Sequence, residues 1–314
     1  MSTPTRLAII GDIGGHLSML HKQLRCLGVD TTTAELPDDL IVCQVGDLVH
    51  KGPDSLGVLT YVDTLMRRNP RQWVQLLGNH DAQHLPGTTQ FWNQQTPAEV
   101  TSILRSWWEH GQITIAAAFD VEPAGDVLTG TVAGQLLVTH AGLSAPAMRA
   151  ATGGVTATAA ATAAALNTIP PVVWREGEII TGRNDPCAGP LWAIAATEVY
   201  PSWMYRPDTV PFHQAHGHTA ICNWRRRRMY PAPTAVADAV EHIDGVARVT
   251  RTRIGTQSFF ATDPDAAATP LAMSAPLTFH LRPATVMAHA PSAHTADQAD
   301  AALSQRTPGL QVPA

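Results

Sequence analysis

Short apolar runs, each stopped by glycine or a polar residue, recur along the first two thirds of the chain. Leu7-Ala8-Ile9-Ile10 is closed by Gly11-Asp12, Leu40 to Val45 by Gly46-Asp47, and Trp73 to Leu77 by Gly78-Asn79-His80-Asp81. Further on, Gln135 to Thr139 is closed by His140-Ala141-Gly142, and Phe212 to Ala215 runs into His216-Gly217-His218-Thr219. Such runs predict buried strands. Between them the apolar period lengthens to that of a helix. Leu17, Leu20, Leu24 and Leu27 share one face, with Gly28 placed to cap it. Leu56, Leu59, Val62, Leu65 and Met66 share another, with Pro53 and Asp54 in the first turn. A third helical stretch, Pro97 to His110, carries Val100, Ile103, Leu104 and the pair Trp107-Trp108, read as packing residues. Strand and helix in alternation predict βαβ units and a largely parallel sheet.

Other stretches are less regular. Residues 145–170 are rich in Ala and Thr and read as an insertion, either a weakly held helix or a mobile segment, without chemistry. Val246 to Thr250 and Ser258 to Thr262 predict two late strands that pair. After about Asp263 the composition shifts to Ala, Pro, Thr and His, so residues 1–263 are expected to form the main domain and 264–314 an extension. The last ~25 residues have the composition of a disordered tail.

Composition narrows the function classes. Of the 314 residues 45% are apolar, enough for a sizeable core, and the net charge of −5 leaves no basic footprint for nucleic acid. The four cysteines show no CxxC spacing, which excludes a zinc knuckle and a disulfide framework. No stretch approaches the ~20 apolar residues of a membrane span. Met1 to Arg6 lead straight into a strand without a signal-peptide pattern. The expected location is the cytoplasm.

The chemistry lies at the strand ends. In an open α/β sheet the carboxyl ends of strands converge on one crevice. Here that crevice would gather Asp12, Asp47, Asn79, His80, His140, His216 and His218. Two carboxylates forced together repel unless a cation lies between them. Mixed oxygen and nitrogen donors suit manganese, iron, zinc or nickel better than calcium or magnesium. Six or seven ligands exceed one tetrahedral ion but fit two ions sharing a carboxylate.

In type, order and rough spacing these motifs resemble the calcineurin-like metallophosphoesterases: Gly11-Asp12-Ile13-Gly14-Gly15-His16, Gly46-Asp47-Leu48-Val49-His50-Lys51-Gly52, Gly78-Asn79-His80-Asp81, His140-Ala141-Gly142 and His216-Gly217-His218-Thr219. The flavour is that of the bacterial and phage phosphoprotein phosphatase and diadenosine tetraphosphate hydrolase branch, and the match runs from about Leu7 to Thr219. The resemblance implies a four-layer αββα sandwich of two mixed sheets flanked by helices. It also implies two divalent or trivalent metal ions, manganese first, with iron, zinc or nickel as alternatives. Asp12 would bind the first ion and Asp47 bridge both. Asn79 and His140 would bind the second, and His216 and His218 would go to different ions. His80 would be the general acid, and a hydroxide shared by the ions would attack phosphorus in line. The implied partner is a phosphorylated protein, nucleotide or small molecule.

The chain departs from that family in two places. Where Asp-x-His is usual, position 14 is Gly, so His16 is either a rim residue or the substitute ligand. Where Asp-Arg-Gly is usual, the chain has His50-Lys51-Gly52. Orientation of His80 would then fall to Asp81 or Asp54. Lys51 would keep a charge for phosphate without the bidentate fork of Arg. Arg175 and Arg183 are further candidates for gripping phosphate, and Arg225 to Arg228 form either a solvated face or a steering patch. These departures keep a rival open, a metal-bound scaffold of low or no activity that holds a phosphorylated or acidic partner. Cyclic-nucleotide phosphodiesterase activity is the other enzymatic alternative.

Overall fold

The computed structural model describes residues 5–123, 127–154, 157–206, 209–265 and 274–282. The chain begins with β1 (Arg6–Ile10), α1 (Leu17–Cys26), β2 (Leu40–Gln44), α2 (Ser55–Arg68) and β3 (Trp73–Gln75). There follow α3 (Asn79–Ala82), α4 (Ala98–Glu109), β4 (Ala116–Glu122), β5 (Gly134–Thr139), α5 (Ala145–Thr152), α6 (Ala159–Asn167) and β6 (His213–His216). A short hairpin, β7 (Cys222–Asn223) and β8 (Arg228–Met229), precedes β9 (Val240–Asp244), β10 (Val249–Ile254), β11 (Gln257–Ala261) and β12 (Leu277–Leu281). Asp54 caps α2 by accepting from Gly57 N at 2.8 Å, so the helix starts one residue after it.

Ten strands join in one ladder, in the order β3-β2-β1-β12-β4-β5-β6-β11-β10-β9. The β1–β2, β2–β3, β5–β6 and β6–β11 pairs are parallel, and the remaining pairs are antiparallel. The ladder folds over on itself. Phe260 of β11 and Phe279 of β12 lie four strand positions apart, which in a flat sheet is roughly 19 Å at ~4.8 Å per strand. Their ring centroids are 5.4 Å apart. One face of each wing therefore meets the other in an inner core of Leu7, Ile9, Cys43, Val45, Phe119, Val138, Phe260 and Phe279. The alternate residues, such as Ala8, Ile10 and Val42, face outward to helices, as the period of two dictates. The result is the four-layer sandwich that the family resemblance implies, its two sheets running into one another through β12.

β12 lies beyond the boundary drawn at Asp263. It pairs antiparallel with both β1 and β4, in the middle of the ladder. Its period-two pattern, with Leu277, Phe279 and Leu281 buried, is submerged in the Ala/Pro-rich composition around it. The tail beyond residue 282 lies outside the described residues. Within the segment 145–170, residues 145–154 and 157–170 are packed structure. α5 and α6 are capped by Ser144 and Thr158 and bury Ala147, Met148, Ala163 and Leu166. The late strands do pair, β10 with β11, but the first begins at Val249 because Gly245 to Arg248 turn the chain out of β9. Trp107 and Trp108 are core residues, and Trp107 Nε1 donates to Asp63 Oδ1 at 3.1 Å. Among the described residues no helix is long and apolar enough to cross a membrane.

Because β12 joins the two wings, Phe279→Ala is expected to destabilise the protein by about 3–5 kcal/mol. A chain ended at residue 265 is expected to show no cooperative urea transition. Urea denaturation followed by tryptophan fluorescence checks both.

Candidate metal centre

The centre is built where loops after β1, β2, β3, β5 and β6 meet. Their meeting depends on glycine. A Cβ on Gly46 would stand 2.3 Å from Gly78 N, and one on Gly78 would stand 2.1 Å from Asp47 N. The loops after β2 and β3 are therefore in backbone contact, and Gly46 has φ +103, which favours glycine. Val45 N donates to Ile10 O at 3.0 Å and Gly217 N to His140 O at 2.8 Å, tying the remaining strand ends together.

Asp12 and Asp47 are both fully buried. Asp47 Oδ1 accepts from His80 N at 2.9 Å, and Asp12 Oδ1 accepts from His218 N at 3.0 Å. Burial works against charge on Asp47, but its polar surroundings, with the Lys51 ammonium 3.1 Å away, outweigh it and hold the carboxyl well below the usual carboxylate range. Burial, with Asp263 and Asp47 close by, pushes the Asp12 carboxyl well above that range. The two carboxylates thus share the cleft unequally.

His140 defines the metal-binding side. Its Nδ1 lies 2.9 Å from Val45 O, a group that only accepts, so Nδ1 carries the proton. Nε2 is left with a bare lone pair, 2.9 Å from Asn79 Oδ1 and 3.4 Å from Asp47 Oδ1. Burial pushes the imidazole below its ordinary value and keeps it neutral. Three lone-pair donors therefore face one another with no proton between them, an arrangement that fits a cation. His218 stands beside them, its Nδ1 3.1 Å from Asn79 Oδ1 and its Nε2 buried without a partner. Asp12, Asp47 and His140 have ligand atoms that all lie within 4.8 Å of one another.

His216, expected beside His218, faces elsewhere. Its Nδ1 donates to Gly217 O at 2.9 Å and its Nε2 accepts from the Tyr200 hydroxyl at 2.9 Å, so both nitrogens are engaged. His16 sits on the rim at 8% exposure, its Nε2 buried and unpartnered, outside the group of mutually close ligand atoms.

Among the described residues no hydrogen bond or ion pair joins the Asp81 carboxylate to the His80 ring. That carboxylate accepts from Leu48 N at 2.9 Å and from Gly78 N at 3.1 Å, bracing α3 against the loop after β2. Asp54 is engaged as the α2 cap. The partner of His80 is His50, with 2.9 Å between their Nδ1 atoms. His50 Nε2 lies 3.2 Å from His84 Nε2, and His84 Nδ1 lies 2.8 Å from Thr101 Oγ1. Phe91 and Trp92 enclose the His80 ring edgewise at 4.8 and 4.9 Å. Sequence reasoning did not single out His84, whose one signal is its i,i+4 spacing from His80 on a helical turn. Tyr200 gave no signal.

The phosphate-gripping candidates are occupied or remote. Lys51 Nζ turns inward to Asp47 Oδ2 at 3.1 Å. The Arg175 fork is taken by Asp185, at 2.6 and 3.2 Å. Arg183 is exposed, and among the described residues no hydrogen bond or ion pair joins it to the centre. Arg225 to Arg228 stand exposed at the tip of the β7–β8 hairpin.

The chain belongs to the calcineurin-like phosphoesterase family, whose family model matches residues 5–186. It is 30% identical over 88 residues to Shewanella-like protein phosphatase 2 of Arabidopsis thaliana, covering 27% of this chain and 22% of that protein. It is 39% identical over 74 residues to serine/threonine-protein phosphatase 1 of Salmonella typhimurium, covering 23% of this chain and 28% of that protein. The matches thus span about a quarter of these relatives' lengths. Among solved structures the fold is similar to a cold-active protein-tyrosine phosphatase of a psychrophilic Shewanella species. That match has a TM-score of 0.51 at 12% identity and covers 88% of this chain and 77% of that one.

Two variants separate the paired histidines. His218→Ala is expected to weaken Mn²⁺ binding by about 100-fold or more, and His216→Gln by no more than about tenfold. Titration calorimetry at constant pH checks the pair, and equal losses would contradict this placement.

Proposed function

We propose that the protein is a metal-dependent hydrolase of phosphomonoesters, acting on a phosphorylated protein or a small phosphate ester. The observation that carries this reading is the convergence of bare lone pairs from Asp47, Asn79 and His140 beside an imidazole free to face a leaving group. The names of the curated relatives, both protein phosphatases, support the monoester class over dinucleoside polyphosphates and cyclic nucleotides. Asp47, Asn79, His140 and His218 would hold a divalent ion, which would supply the positive charge that polarises phosphoryl oxygens and acidifies an attacking water.

The residues of this chain supply the proton. His80 Nε2 lies 3.9 Å from Asp47 Oδ2, on the side of the centre, and its Nδ1 faces His50. Burial pushes His80 down to about 3 and His50 down to about 4, so both rings are neutral at pH 7. A lone neutral imidazole is a poor acid, because losing its proton leaves an anion. A row of imidazoles avoids that cost. In the tautomers this reading requires, the Thr101 hydroxyl donates to His84 Nδ1, His84 Nε2–H to His50 Nε2, and His50 Nδ1–H to His80 Nδ1, leaving a proton on His80 Nε2. When that proton passes to the leaving oxygen, each proton in the row moves one place inward. Thr101 Oγ1 is then reprotonated by water in the surface pocket lined by His84, Thr101 and Arg105, and the hydroxide so formed passes to solvent, where it is neutralised by the proton that the attacking water gives up. Every ring ends neutral. A scaffold that only held a partner would gain nothing from this row, which favours catalysis over the non-catalytic alternative.

Leaving groups of different basicity test the reading. His80→Ala is expected to slow phenyl phosphate hydrolysis by about 100- to 10,000-fold. His50→Ala should slow phenyl phosphate markedly and 2,4-dinitrophenyl phosphate little, because the latter's leaving group needs no proton. Equal losses on both substrates would remove the proton row. Turnover of bis(p-nitrophenyl) phosphate without the monoester would remove the monoesterase reading.

A further inference from the structure

The Asp12–Asp47 side of the centre is unlike the Asn79–His140 side. There the carboxylate oxygens already face a cation, since Lys51 Nζ lies 3.1 Å from Asp47 Oδ2 and 3.8 Å from Asp12 Oδ2. The lysine side chain is only 14% exposed. Its path is fixed by backbone geometry. His50 and Lys51 both have left-handed φ, at +67 and +61, and Gly52 N donates to Gly14 O at 2.7 Å while Gly14 N donates to Asp47 O at 2.7 Å. These bonds lay the lysine stem over Gly14. A Cβ at position 14 would stand 3.2 Å from Lys51 Cδ and 3.3 Å from Lys51 Cβ, so a larger residue there and the inward lysine compete for one space.

Position 14 is where the motif pattern of the first strand end has a histidine, and here glycine makes room for Lys51. His16 is not among the mutually close ligand atoms of Asp12, Asp47 and His140. What remains on this side is the Asp12 and Asp47 carboxylates, with the buried Asp263 close enough to act on both of them and on the lysine, and the ammonium. A divalent ion placed among them would lie against the fixed positive charge that the Asp12 and Asp47 oxygens already face. The residues therefore fit one ion and not two.

We propose that Lys51 is the permanent cation between Asp12 and Asp47, standing where a second metal ion would otherwise lie, and that the centre takes a single divalent ion. Gly14 and Lys51 then form one paired departure from the family pattern. The inference rests on the metal-dependent reading of the site and deepens it.

The test is metal content by elemental mass spectrometry, with electron paramagnetic resonance, on full-length protein loaded with Mn²⁺ and desalted. The wild type is expected to retain about one ion per chain and to show the hyperfine pattern of an isolated Mn²⁺. Lys51→Ala is expected to rise towards about two ions, with a spectrum broadened by coupling between neighbours. Two coupled ions in the wild type would overturn the proposal and leave the hydrolase reading standing. Lys51→Ala remaining at one ion would overturn it as well. No retained ion in the wild type would remove the metal-dependent reading and this inference together. Should Lys51→Ala fail to fold, the wild-type count and spectrum decide alone.

Discussion

Two aspartates buried side by side set the terms for everything around them. Asp12 and Asp47 end adjacent parallel strands and are both shut off from water, so each carries a desolvation cost of several kcal/mol if charged and unpaired. The molecule meets that cost with local donors. The backbone N–H groups of His80 and His218 each give one hydrogen bond, and Lys51 gives its ammonium. Each donor comes from a different loop, and the loops reach it only because Gly46 and Gly78 let two backbones touch. The inner core, the curled ladder and the glycine contacts are thus parts of one requirement, to bring scarce positive charge to two carboxylates.

The histidines extend the same electrostatic logic. His140 is pinned by Val45 O so that its lone pair points at Asn79 and Asp47, and His216 is turned away by Tyr200 and Gly217 O. His50 stands where the family pattern has a carboxylate. An imidazole there lowers the negative charge of the cleft, and in the proposed reaction it would pass a proton rather than hold an imidazolium in place. With Lys51 as an internal cation, a cleft needing less external metal charge also carries less acid. Gly14, His50 and Lys51 read together as one rebalancing of charge.

Much of this was legible in the sequence, for a physical reason. A buried strand needs a continuous apolar run, and a tight strand end needs glycine, so Leu7 to Asp12, Leu40 to Asp47 and Trp73 to Asn79 announce both their structure and the residues they present. The order of these motifs along the chain fixed the family, and with it the layers of the sandwich. Helix periodicity marked α1, α2 and α4 closely, because one apolar face repeats through each of them. β12 escaped because three buried positions alternate inside a stretch whose composition resembles a tail.

The chain by itself determined which side chains arrive at the carboxyl ends of the strands, since that depends on local runs and stops. Only the tertiary structure decided which way each one faces. Whether His216 or His218 turns inward, whether Asp81 braces backbone or touches His80, and whether Lys51 reaches out to a substrate or in to Asp47 all depend on competing partners. Those partners, among them Tyr200, Gly78 and Gly14, are either distant in sequence or carry no side chain at all. Hydrogen-bond competition at short range is settled by three-dimensional proximity, and no spacing along the chain encodes it.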